Sequence, residues 1–313
     1  MVRYLIYLSY IGTRYRGAAK QIGCERLMDI DTIQGALETC LYANIQPRSI
    51  KKPVVYTSSR TDAGVHALNS TAHVDLEHPE GTIYDTERII RKSNLYFARC
   101  GHEIRLTKIL PVTDEFNARR SARSREYLYR FGIAKRDNEN RIPIAELGRS
   151  WHVRGENIDI DALRRAIPLF LGRKNFESFA AKNRTNREIS YVRTLTTLNL
   201  EEIPSLMPQD PLSENFTFWQ INVAAQSFLY NQVRRIVGAL IGVASGTITE
   251  RDIKFMLQVP NNQHWISALQ MAPPQGLYLK SVNYDEEEMQ TKFIIPHVPN
   301  TEVPKRKIYS ILS

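Results

Sequence analysis

Cysteine is scarce: Cys24, Cys40 and Cys100 are the only three in 313 residues. Three thiols cannot build a disulfide framework, so a reducing intracellular compartment is expected, cytoplasmic or mitochondrial. Long apolar runs are also lacking. The best stretch, Ile236 to Ala244, contains two glycines and falls far short of the roughly 18 residues that a membrane span needs. The start of the chain shows no charged n-region followed by an apolar core and a cleavage site, so no cleavable presequence is expected. His66 and His73 have no third His or Cys at metal-ligand spacing, which argues against a metal centre. No fixed-period repeat of short units recurs along the chain.

What remains has globular composition. Hydrophobic residues make up 42% and charged residues 24%. Lys and Arg number 42 against 33 Asp and Glu, a formal net charge of +9. Such an excess favours polyanionic partners without naming one.

Periodicity suggests an α+β protein. Arg3 to Tyr10 reads as a strand, rich in aromatic and β-branched types. Asp31 is a candidate N-cap for a helix to about Asn44, with Ile33, Leu37, Cys40 and Leu41 on one buried face. Strands near 54–58 and 70–75 follow, then a helix near 86–98 and a strand near 103–109. The order β-α-β-β-α-β is that of a ferredoxin-like unit. A break around Pro111 to Asn117 suggests a first lobe at 1–113, a second at 114–285 and a charged tail at 286–313.

The second lobe has its own signals. Strands are expected at 126–133, 192–200, 216–223 and 275–282. Asp159 can cap a helix through Leu163, Ala166 and Phe170, which Pro168 should kink or shorten and Gly172 should stop. Residues 201–215 hold three prolines and read as an exposed loop. Leu229, Val233, Ile236, Val237, Leu240, Ile241 and Ala244 give the strongest amphipathic pattern, a helix over 227–245. On it, Arg234, Gly238, Gly242 and Gly246 lie four apart. Each helical glycine costs roughly 1 kcal/mol relative to alanine, so close helix-on-strand packing along that stripe is expected in preference to direct RNA contact.

The segment Ser59-Arg60-Thr61-Asp62-Ala63-Gly64-Val65-His66-Ala67 stands out for its chemistry. It can project a carboxylate and a guanidinium from one tight turn, and Gly64 permits a conformation other residues avoid. A plain hairpin loop, with Asp62 as its turn residue, is the competing reading. The segment from Arg60 to Ala67 resembles the signature of the TruA family of tRNA pseudouridine synthases. Phe116 to Arg119, Ser121-Ala122 and Tyr127 to Tyr129 resemble that family's second motif. Phe228 to Gly238 resembles its third, and Gly276 to Leu279 its closing strand. The motifs fall in family order across about residues 3–284.

The resemblance implies a pseudouridine synthase fold: two ferredoxin-like, RRM-like lobes forming a mostly antiparallel sheet, with flanking helices and a central RNA-binding cleft. It implies isomerisation of uridine in RNA, most of all tRNA, without metal or other cofactor and away from membranes, in a possible homodimer. Asp62 would be the nucleophile, Tyr127 would stack on the target base and assist proton removal, and Arg234 would pair with Asp62 and keep it ionised. Arg60 would displace or hold the flipped nucleotide. Thr61, Gly64, His66, Arg119, Arg123 and Arg125 would complete the substrate-binding set. Arg120 and Arg130 extend this basic run. Lys174, Lys182, Arg184, Arg187 and Arg193 form a second one.

One departure is visible. Tyr15-Arg16-Gly17-Ala18-Ala19-Lys20-Gln21 stands where the family commonly carries Gly-Trp-Gln, as in the divergent eukaryotic synthase-like branch. Two other classes compete with the enzyme: an RNA-binding or chaperone protein without turnover on the same scaffold, and an Asp-dependent hydrolase. The hydrolase lacks a second carboxylate or metal to activate water.

Overall fold

The computed structural model describes residues 1–20, 29–136, 139–154, 158–181 and 189–289. Cys24, Gln21, Lys182, Arg184, Arg187 and most of the expected tail lie outside the described residues.

The first lobe follows from strands rich in β-branched and aromatic residues and from helical spacing. β1 (Val2–Tyr10), α1 (Ile33–Asn44), β2 (Val55–Thr57), β3 (His66–Leu76), α2 (Thr86–Arg99) and β4 (Ile104–Val112) give the expected order. β1 pairs antiparallel with both β3 and β4, and β2 adds to β3, which is the ferredoxin-like arrangement. Tyr4, Ile6 and Leu8 on β1 meet Leu37, Cys40 and Phe97 from the helices in one core. The α1 cap is Thr32, whose buried Oγ1 accepts from Gly35 N at 3.1 Å, where Asp31 was expected. Asp31 faces solvent and lies 3.7 Å from Arg16.

The second lobe is built on β5 (Ser124–Ala134), β8 (Val192–Ile203) and β9 (Phe216–Ala225), all antiparallel. β8 runs three residues into the segment read as loop, and Pro211–Asn215 makes a 3-10 turn there. α3 (Ile160–Ala166) stops just before Pro168, and Ile167–Phe170 continues as a 3-10 turn, the shortening expected from that proline. Short β6 (Trp151–Val153), β7 (Gly172–Asn175) and helix α5 (Glu250–Gln258) carried too little pattern to be read.

The helix α4 (Gln232–Ala244) starts five residues later than its apolar spacing suggested. Asn231 adopts left-handed backbone, φ 60°, and ends any helical continuation backwards. Leu229 still reaches the core, but from a loop. Gln232 closes that loop, its Oε1 accepting from Leu229 N at 2.8 Å.

Final strand β10 (Leu277–Asn283) joins the lobes. It lies parallel to β3 through Tyr278 and Leu279, and antiparallel to β5. The result is one ten-stranded sheet, order β4-β1-β3-β10-β5-β9-β8-β7, with β2 and β6 on side branches. A second core gathers Tyr129, Phe131, Phe170, Phe179, Ile221, Ile236 and Leu240 between this sheet and its helices. Burial of each such side chain stabilises by about 1.5–3 kcal/mol, well above a typical surface ion pair. Among the described residues, no helix is long and apolar enough to cross a membrane.

Candidate active site

Between the two cores lies a cleft of about 510 Å³. Its walls come from Ser58 to Asp62, from Arg119, Arg125 and Tyr127, and from Ser227 to Arg234. The lining is mixed, with aromatic faces from Tyr127, Phe228 and Tyr230 and cations from Arg60, Arg119, Arg125 and Arg234.

The loop after β2 is rigid because its backbone is fastened from behind. Thr61 is buried, its Oγ1 bonded to Tyr10 Oη at 2.8 Å and its carbonyl accepting from Ala18 N at 3.0 Å. Val65 N donates to Asp62 O at 3.2 Å, closing a tight turn. Gly64 sits in that turn at φ 80°, and a Cβ there would stand 3.1 Å from Pro274 Cγ. Glycine is therefore demanded twice, by conformation and by space.

Asp62 is thereby held at the cleft, one quarter exposed, facing Arg234 from the other lobe. Arg234 Nη1 donates to Asp62 Oδ2 at 3.5 Å, to Asn231 Oδ1 at 3.1 Å, and its Nε donates to Ala272 O at 2.7 Å. Burial pushes the Asp62 carboxyl above its ordinary value, and Arg234 pulls it back only in part. Arg234 therefore acts toward the ionised form, as expected of the pair, without cancelling the whole cost of burial. The long contact is too weak to cancel desolvation, since the guanidinium is shared among three acceptors.

The glycine stripe explains how Arg234 is steadied. A Cβ at Gly238 would lie 2.3 Å from Gln270 O, and one at Gly242 would lie 2.3 Å from Leu269 Cδ2. The chain at Leu269–Ala272 thus crosses α4 at near backbone contact, and this proximity brings Ala272 O to Arg234. Close packing is what the stripe was expected to mean, although the partner is an irregular strap rather than a strand. Gly246 differs, being a left-handed residue beyond the helix, at φ 71°.

Tyr127 projects from β5 into the cleft and meets Phe228 edge to face, centroids 5.2 Å apart. Burial raises its phenol pKa, with Ser59 and Arg125 opposing. Arg60 and Arg119 are exposed at the rim. Burial lowers the Arg119 pKa, and the neighbouring charges of Arg60, Arg125 and Arg120 add to this.

Three expected substrate-binding residues are placed elsewhere. His66 is fully buried behind the loop, stacked on Tyr278 with centroids 4.5 Å apart. Its Nδ1 accepts from Gly12 N at 2.9 Å, which assigns the proton to Nε2, facing Gly148 O and Gln275 O at 3.1 Å. Gly64 belongs to the turn, outside the lining. Arg123 is exposed and lies 3.7 Å from Asp285, also outside the lining. Of the wider basic runs, Arg130 turns to buried Glu146 at 2.9 Å, and Arg193 donates to Ser190 O and Val192 O. Arg235 braces Ser178 O and Ala180 O and lies 4.9 Å over Trp265.

Ser58, Ser59, Phe228, Tyr230 and Asn231 line the cleft but were not singled out as site residues. The last three were hidden inside an expected helix; the signal for them was a Tyr-Asn pair where helix spacing should have continued. Among the described residues no His, Cys, Asp and Glu group could hold a metal ion.

Comparison with known proteins bears on this cleft directly. A family described as tRNA pseudouridine synthase matches residues 166–285, the part that carries α4 and β10. A tRNA pseudouridine synthase-like 1 from Xenopus laevis is 33% identical over 291 residues, covering 92% of this chain and 93% of that protein. The Homo sapiens protein of the same name is 33% identical, covering 90% of each chain. A tRNA pseudouridine synthase A from Jannaschia sp. is 31% identical, covering 92% of this chain and 97% of that protein. The likeness runs through both lobes and so through both walls of the cleft. The chain belongs to the TruA-type family of tRNA pseudouridine synthases, isomerases built on this α+β fold.

Proposed function

We propose that this protein converts uridine to pseudouridine in tRNA, with Asp62 as the nucleophile. One observation carries the reading. Asp62, Tyr127 and Arg234, far apart in the chain, line one cleft whose rim holds Arg60 and Arg119. Its volume lies within the roughly 300–1,000 Å³ of small-molecule sites, enough for one everted nucleoside. A base inside a stem cannot reach Asp62, so the nucleotide must flip out, and the aromatic faces offer stacking to compensate.

The carboxylate attacks C1′ of the ribose or C6 of the base. By the first route, an ester forms at C1′ as the bond to N1 breaks, and its electron pair leaves with uracil. The base turns, C5 takes the place of the carboxylate at C1′, and the proton on C5 is lost while N1 gains one. Nothing is added overall, so neither an oxidant nor a second substrate is needed. The Tyr127 ring supports stacking on the base, and its phenol, held neutral by burial, would take up the C5 proton only by passing its own onward. Arg234 orients Asp62 and favours its charged form against burial.

Release of tritium from tRNA labelled at uridine C5 tests this. The wild-type protein should release label, and Asp62→Ala should release none while keeping its thermal stability and RNA affinity. Undiminished release from Asp62→Ala would remove the nucleophile assignment. No release by the wild type from unmodified tRNA would remove the reaction.

A further inference from the structure

Arg125 belongs to the basic run expected to contact phosphates, yet its guanidinium already faces the protein. Nε donates to Ser59 Oγ at 3.1 Å. Nη2 donates to Ser58 O at 3.0 Å and to Arg119 O at 2.9 Å. Nη1 donates to Gln226 O at 2.9 Å. A guanidinium has five N–H donors in a fixed plane, so four are engaged. The acceptors come from three separate segments: the loop that carries Asp62, the turn that presents Arg119, and the chain entering Ser227–Asn231. These are the segments that wall the cleft.

Each segment is fastened on its far side as well. The Arg119 turn is capped by Asn117 Oδ1, which accepts from the backbone N–H of Arg119 and Arg120 at 3.0 and 3.1 Å. The Asp62 loop is held by Thr61 and Tyr10. The 227–231 loop is closed by Gln232. Arg125 spans all three. By occupying a lone pair of Ser59 Oγ, it also leaves that hydroxyl proton free to turn toward Tyr127. Ser59 and Arg125 both draw the Tyr127 phenol down against burial. A lysine could not replace this geometry, because three donors on one nitrogen cannot reach acceptors spread around a plane.

We infer that Arg125 is a positioning residue, not a phosphate ligand: it ties the three cleft segments together and thereby sets Asp62 and Tyr127 against each other. Insofar as it concerns turnover, this rests on the isomerase reading. Phosphate contact is left to Arg60 and Arg119, which are exposed.

The test compares Arg125→Gln, Arg125→Lys and Ser59→Ala with the wild type. It measures kcat and KM for tritium release, the salt slope of tRNA binding, and amide exchange at 58–62 and 226–231. Both Arg125 variants should lose on the order of a hundredfold in kcat, as expected of misplacement by about 1 Å, with KM little changed. The salt slope should stay at its wild-type value, and exchange should quicken in both segments. Ser59→Ala should lose less, in the same direction, and it decides the matter if the Arg125 variants fail to fold: wild-type kcat in Ser59→Ala would then overturn the inference. A slope reduced by about 0.7–0.9, the release of one phosphate's counterion, with kcat unchanged would overturn it too. So would an Arg125→Lys protein identical to the wild type. If the wild type isomerises nothing, the isomerase reading fails, while slope and exchange still decide the role of Arg125.

Discussion

The two walls of the cleft are built in opposite ways. On the first-lobe wall, Thr61 and His66 spend their polar groups inside the protein, Thr61 on Tyr10 and Ala18, His66 on Gly12, Gly148 and Gln275. On the second-lobe wall, Tyr230 is 57% exposed, and Asn231 projects its chain by a left-handed turn. One wall fixes a carboxylate; the other offers surface to whatever enters. A short motif rich in Arg, Asp, Gly and His therefore need not be a row of substrate contacts. Asp62 and Arg60 face the cleft, and the residues around them hold that pose.

The comparison is broken most severely at His66. Replacing it by leucine takes the side-chain partner from buried Gly12 N and from Gln275 O, while Gly148 O keeps Thr13 Oγ1 at 3.3 Å, and should cost about 2–3 kcal/mol. The measurement is the urea midpoint of His66→Leu against the wild type. A change under about 0.5 kcal/mol would mean that the first wall is not held this way. The pH dependence has a definite sign. Burial lowers the His66 pKa below 6.5, so the unfolded chain protonates first as pH falls. Stability from this group is complete above 6.5 and declines below it. His73, whose pKa is pushed down to about 4, adds to the same acid limb.

Legibility in the sequence divides along the same line. The first lobe was readable because β1 is rich in aromatic and β-branched residues and α1 carries one apolar face, so the order of its elements follows from local pattern. Asp62, Tyr127 and Arg234 stand out in the sequence because their motifs resemble those of a known family, and the fold brings all three to one cleft. The burial of His66 was not readable, because a histidine four residues after an aspartate looks the same in sequence whether it faces solvent or core. The tertiary contacts that bury it come from residues 12, 148 and 275. The start of α4 was lost for a related reason: Phe228 and Leu229 continue the apolar spacing, and only the left-handed Asn231 breaks it. Strand β10 was visible as a strand, but its place between β3 and β5 depends on pairings that no local pattern encodes.

The exposed wall makes a weaker but more specific claim. Tyr230→Ala removes an aromatic face that touches little of the protein and should leave thermal stability unchanged. It should weaken tRNA binding by about 1–3 kcal/mol, the usual worth of one base stacked on an aromatic ring. Tyr230→Phe should bind as the wild type does. If the alanine variant binds equally well, the ring serves no base, and the open wall is defined by Phe228 and Tyr127 alone.

The smallest effect separates rim charge from cleft architecture. Arg119 and Arg125 are six residues apart and both line the cleft, yet Arg125 donates to four acceptors while the Arg119 side chain lies exposed among like charges. Repulsion from Arg60, Arg120 and Arg125 is tolerated where a polyanion later relieves it, because each phosphate neutralised there releases bound counterions. Arg119→Gln should therefore reduce the salt slope of tRNA binding by about 0.7–0.9 and lower affinity a fewfold at moderate salt, with kcat at saturating tRNA unchanged. At high salt the variant and the wild type should converge. A kcat loss without a change of slope would place Arg119 with the inward-facing residues, and the division between a fixed wall and a binding wall would then run through residue 60 alone.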